Sequence, residues 1–131
     1  MRVATRAGVF YALVVFLIGF IFGTVRVLLV LPRVGETVAV SLETPVMLAA
    51  SWLVCRWCVD WLDVPDAIPA RSIMGIVAFV VLMAAEFGLS VAAFGRSTAE
   101  YLASYTSLPG AIGLAAQLVF GTFPIAQVWR R

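Results

Sequence analysis

Long apolar runs, broken only by short turn-forming segments, leave this chain few ways to fold. A helix needs about 20 apolar residues to cross the roughly 30 Å hydrocarbon core of a bilayer. Four stretches reach that length, at about residues 7–31, 38–59, 73–94 and 109–129, and leave little chain for a soluble domain. With 63% apolar and 12% charged residues, a soluble globule of 131 residues would have too little interior to hide its apolar surface. The expected fold is all-α: an integral membrane four-helix bundle of two antiparallel hairpins, with 1–131 a single transmembrane domain.

The turns between the stretches carry the residues that reversals need. Pro32-Arg33-Val34-Gly35-Glu36 is expected to stop the first helix at Leu31 and turn the chain. The first stretch is longer than the 7 to 15 residues of a secretory-signal core and holds no small-residue cleavage site, so it is expected to stay as a helix. Arg2, Arg6, Arg56, Arg71, Arg130 and Arg131 fall on one side of the bundle, against Arg33 and Arg96 on the other. Short arginine-rich segments stay cytoplasmic, so both termini are expected inside, with Trp57, Trp61 and Trp129 as aromatic anchors at the same interface.

The inner connector, with Asp60, Asp63, Pro65, Asp66 and Pro69, reads as a non-helical, solvated acidic turn flanked by Arg56 and Arg71. The outer connector contains Ser97-Thr98-Ala99-Glu100, the spacing of a capping box, and predicts a short interfacial helix over 98–106. Tyr101, Leu102 and Tyr105 would share its face.

Other chemistries are excluded or unsupported. A net charge of +2, carried by scattered arginines without a basic face, gives no footprint for nucleic acid. There is no histidine, no nucleophile elbow and no phosphate loop, so no catalytic residue and no cofactor is expected. Cys55 and Cys58 form a CxxC, but zinc needs two further nitrogen or sulfur ligands, and ordinary thiols in a reducing compartment are expected.

Three ionisable residues interrupt the apolar stretches: Arg26, Glu43 and Glu86. Each costs about 2.5 to 3.5 kcal/mol at a helix centre on insertion scales, so such groups normally face protein or water. Counting at 1.5 Å per residue places Arg26 and Glu43 roughly 8 Å, and Glu86 roughly 12 Å, from the outer boundary. They are therefore expected to meet in the outer half of the bundle. One guanidinium cannot comfortably leave two carboxylates ionised there, so one acid should pair with Arg26 while the other keeps its proton or binds a cation. The plainer alternatives are that Arg26 snorkels outward, or that Arg26 and Glu43 form a static pair with Glu86 nearby. Gln117 and Ser90 are further polar candidates near the interior.

Pro45 and Pro124 mark expected kinks, and Thr44 could instead cap a helix starting at Pro45, as in broken transporter helices. The GxxxG of Gly19 and Gly23, and small residues at Ala84, Gly88, Ala92 and 110–116, predict close helix seams within the chain or between subunits.

The series Arg26, Pro32-Arg33, Gly35-Glu36, Leu42-Glu43, Pro45, Met47-Leu48 and Ser51-Trp52 resembles a family of small four-span bacterial inner-membrane proteins. The likeness covers mainly the first hairpin and implies a fold without implying an activity. The leading expectation is a non-enzymatic structural or accessory membrane module whose partners are the lipid bilayer and a second copy or another membrane protein. The alternative is a small homo-oligomeric proton- or cation-coupled transporter or channel.

Overall fold

The computed structural model describes residues 2–92, 95 and 97–128. Among them every regular element is a helix and no strand occurs. Helix α1 spans Arg2–Val25, a π-helical turn Arg26–Val30 follows, and α2 is the short Leu31–Val34. Helix α3 spans Glu36–Leu62, α4 Ile68–Ala92, α5 Thr98–Ala103 with a 3-10 turn Ser104–Thr106, and α6 Leu108–Ala126. Arg96, Trp129, Arg130 and Arg131, on which part of the orientation argument rests, lie outside the described residues, as does Phe94, the expected end of the third stretch.

Three helices, α1, α3 and α4, are long and apolar enough to cross a membrane. A fourth crossing results if Thr98–Thr106 and Gly110–Ala126, bent by 90°, count as one span.

Local chemistry sets the boundaries. Pro32 does not stop the first helix at Leu31: the helical run passes from the π-helical turn straight into α2, which holds Pro32 and ends at Val34. The reversal falls instead at Gly35, whose φ of 85° suits a residue without Cβ. At the end of α3, Asp63 adopts the left-handed conformation and the Val64 N–H returns to the Val59 carbonyl at 3.1 Å. That is a Schellman-type stop with an apolar residue, buried Val64, tucked behind it and Pro65 beyond.

Pro69 was expected in the loop but lies in the first turn of α4, the helical position a proline tolerates. The capping box forms as its spacing predicts: the Glu100 N–H donates to Ser97 Oγ at 3.1 Å and the Ser97 N–H to Glu100 Oε1 at 3.3 Å. Ser107 Oγ accepts from the Gly110 N–H at 3.2 Å and so caps α6. A Cβ at Gly110 would sit 1.9 Å from the Ser104 carbonyl oxygen, so this sharp bend requires glycine.

Helix α1 packs on α3 and α4, and α6 packs on the same two, which sets the order α1, α3, α6, α4 around the bundle. Phe10 meets Trp61 edge-on, and Gln127 Nε2 donates to the Trp52 carbonyl at 3.0 Å. The start of α1, the end of α3, the start of α4 and the end of α6 therefore share one end of the molecule. Here the interior is tight, with Ala7, Tyr11, Cys55, Cys58, Met74 and Ala78 fully buried.

The closest backbone approaches between the long helices also lie at this end. A Cβ on Gly8 would come 2.6 Å from the Met74 carbonyl oxygen, and one on Gly75 2.2 Å from that of Gly121. The GxxxG pair is looser: Gly19 has only Met47 Cε at 3.5 Å and Gly23 only Arg26 at 3.8 Å.

Candidate functional site

Towards the other end the helices leave a cavity of about 890 Å³, and the sequence-predicted polar residues line it. Arg26 opens the π-helical turn after α1, a distortion that recurs in helices at functional positions. Its Nη1 lies 2.6 Å from Glu43 Oε2 on α3, a charge-assisted hydrogen bond between neighbouring helices. The side chains are 32% and 15% exposed respectively, so the pair is partly buried rather than sealed. Arg26 and Glu43 also line a second cavity of about 220 Å³, placing the pair in the wall between two hollows.

Glu86 does not join that pair. On α4, its Oε2 accepts a hydrogen bond from Gln117 Nε2 on α6. The three ionisable residues therefore surround one cavity as two separate partnerships, one joining the π-helical turn to α3 and one joining α4 to α6. Counting residues addresses only height along the helices and leaves open the direction in which each side chain leaves its helix. Gln117 Oε1 is buried without a hydrogen-bond partner among the described residues, a condition that costs about 1 to 3 kcal/mol.

Most of the cavity wall is apolar, with Phe16, Phe20, Met47 and Leu89 on it, while Ser51 and Ser90 add hydroxyls. Its size and its few convergent polar groups are those of small-molecule sites. Thr44 is not a cap: α3 continues through Pro45, and Thr44 Oγ1 donates to the Val40 carbonyl at 2.8 Å. Pro124 likewise lies inside α6 and is fully buried.

The lining stops at Val15, Ser51, Leu82 and Phe120. Beyond it the Tyr11 ring stacks on Phe120, centroids 4.2 Å apart, and Arg71 is wholly buried. Arg71 was read from the sequence as a loop charge beside a solvated turn. It instead donates from Nη1 to the Pro124 carbonyl at 3.0 Å and from Nε to the Pro65 carbonyl at 3.1 Å, and Nη2 bonds Asp66. Pro69 was the available signal, since it has no N–H to offer the Pro65 carbonyl four residues earlier and leaves that acceptor to a side-chain donor.

Cys55 and Cys58 are buried free thiols, and among the described residues no three His, Cys, Asp or Glu side chains are arranged to hold a metal. The fold and site define an all-helical protein with three to four helices apolar enough to cross a membrane and a polar-lined cavity among them. The chain matches no protein-family model, no curated protein and no solved structure, so its reading rests on its own residues.

Proposed function

We propose that this chain is a multi-pass protein of a bacterial inner membrane, both termini cytoplasmic, and that it is a non-enzymatic accessory module that holds a ligand in its cavity. The observation that carries this reading is the blind end of the cavity. Tyr11, Cys55, Met74 and Ala78 are fully buried beyond the Phe120 floor, so the hollow suits retention better than passage. Exposed Arg2, Arg6 and Arg56 cluster at that closed end, which supports its lying in the cytoplasm with the cavity in the outer half of the bilayer.

The second reading is a homo-oligomeric proton- or cation-coupled carrier. It is favoured by Glu86, an acid in a membrane helix held by a neutral amide. Proteoliposomes containing the purified chain separate the two. A binding module leaves an imposed pH gradient decaying as in protein-free vesicles. Accelerated decay that disappears in Glu86→Gln would establish the carrier instead. A fluorescent reporter on the C-terminus should light up in the cytoplasm, and a silent reporter would reverse the orientation.

A further inference from the structure

We propose that the cavity binds an amphiphilic amine, its ammonium seated against the Glu86 carboxylate and the Gln117 amide oxygen and its apolar body among Phe16, Phe20, Met47 and Leu89. This rests on the binding reading above and adds the ligand's chemical class.

Charge balance is the first ground. Of the ionisable groups on the cavity wall, Arg26 and Glu43 neutralise each other at 2.6 Å, whereas the partner of Glu86 is uncharged. The sequence has no lysine and no histidine, and Arg71 is committed at the far end to Pro65, Pro124 and Asp66. The ionised cavity thus carries one more negative charge than positive, which repels an anion and favours a cation.

Hydrogen-bond inventory is the second. Gln117 spends an N–H on Glu86 and leaves Oε1 without a donor, so the unmet groups at this spot are acceptors. A primary ammonium brings three N–H donors, enough for Glu86, Gln117 and the nearby Ser90 hydroxyl as the amide settles around it. The apolar remainder of a cavity of about 890 Å³ gives a hydrocarbon body somewhere to lie. A free amphiphilic amine and the ammonium of an ethanolamine lipid both carry this chemistry.

The test is calorimetric titration of the full chain in phosphatidylcholine nanodiscs, whose headgroups have no N–H, with protein-free discs subtracted. Dodecylammonium is the probe, and dodecanol and dodecanoate are the matched neutral and anionic chains. Saturable dodecylammonium binding is expected at one site per chain, at least tenfold tighter than either matched chain and at least tenfold weaker in Glu86→Gln.

Gly113→Leu should weaken it at least tenfold. Gly113 lines the cavity and a Cβ there meets nothing within 4 Å, so the larger side chain has room to enter the hollow one helical turn from Gln117 and take space the ligand would occupy. Replacing glycine by a better helix former should also leave the thermal midpoint no lower than in the parent chain, which checks folding. Competition by added phosphatidylethanolamine would make the lipid headgroup the source, and its absence a soluble amphiphile. Equal binding of all three chains, weakened in Gly113→Leu, overturns the amine assignment and leaves the binding module standing. Parental affinity in Gly113→Leu, or no saturable binding of dodecylammonium, overturns the proposal, and the proteoliposome measurement then decides the underlying reading.

Discussion

The Tyr11 hydroxyl donates to the Phe120 carbonyl at 2.8 Å, and that carbonyl is the one Pro124 leaves without its helical donor. The contact crosses the bundle, since α1 and α6 each pack on α3 and α4. In a low-dielectric interior, a backbone acceptor freed by proline needs a substitute donor. The phenol supplies it while its ring stacks on Phe120 and closes the cavity floor.

Tyr11→Phe keeps the ring and removes the donor, so it should cost about 1 to 3 kcal/mol of stability, the usual penalty for an orphaned buried polar group. Pro124→Ala restores a backbone N–H at position 124. In that background Tyr11→Phe should cost much less, and the two changes should therefore couple in a double-mutant cycle read by unfolding in mixed micelles. Additive costs would mean that the phenol and the proline are unconnected.

Arg71 and Asp66 form an ion pair of unequal members, one wholly buried and the other 51% exposed. Arg71→Leu strips the Pro65 and Pro124 carbonyls of their donor at once and should cost about 3 to 5 kcal/mol, in the range for breaking a buried network. Asp66→Asn keeps an acceptor oxygen but takes the carboxylate charge from a wholly buried guanidinium, and should cost about 1 to 3 kcal/mol, less than Arg71→Leu because Asp66 is half exposed. Similar losses in the two variants, by thermal unfolding, would show that the pair itself, rather than the two carbonyl contacts, holds Arg71 in place.

Three long apolar helices and the capping box of α5 were legible in the sequence because each depends on residues close together along the chain. Run length gives the helices, and Ser97 with Glu100 gives the start of α5. Arg71 was not legible, since one of its three acceptors, the Pro124 carbonyl, lies on a helix that meets α4 only in the folded bundle. The same limit applied to the polar cluster: residue counting gives a height in the bilayer, and neighbouring helices decide which groups touch. Small residues misled in a related way. A GxxxG pattern marks a smooth face, and whether a neighbour presses on it depends on how the helices diverge.

The glycine seam makes that distinction measurable. Gly75→Ala would drive a Cβ to 2.2 Å from the Gly121 carbonyl oxygen, a backbone atom with no rotamer to escape into, and should cost about 1 to 3 kcal/mol or more. Gly121→Ala meets Phe79 Cβ at an ordinary 3.5 Å, and Gly88→Ala meets nothing within 4 Å. Both should be neutral or stabilising by about 0.5 to 1 kcal/mol through helix propensity. A strong loss in Gly19→Ala, whose Cβ would find only the flexible end of Met47 at 3.5 Å, would move the tight seam back to the GxxxG.

The two-partnership arrangement of the charges predicts which substitutions talk to each other. Removing either member of the Arg26 and Glu43 pair should cost about 1 to 3 kcal/mol, between the values for exposed and sealed pairs, because the side chains are 32% and 15% exposed. Arg26→Gln combined with Glu43→Gln should then cost less than the sum of the single changes, since neither leaves a lone charge behind. Arg26→Gln combined with Glu86→Gln should instead be additive within about 0.5 kcal/mol, because Glu86 is held by Gln117 on the other side of the cavity. Coupling of Arg26 to Glu86 as strong as its coupling to Glu43 would merge the three charges into one cluster and remove the negative excess on which ammonium recognition depends.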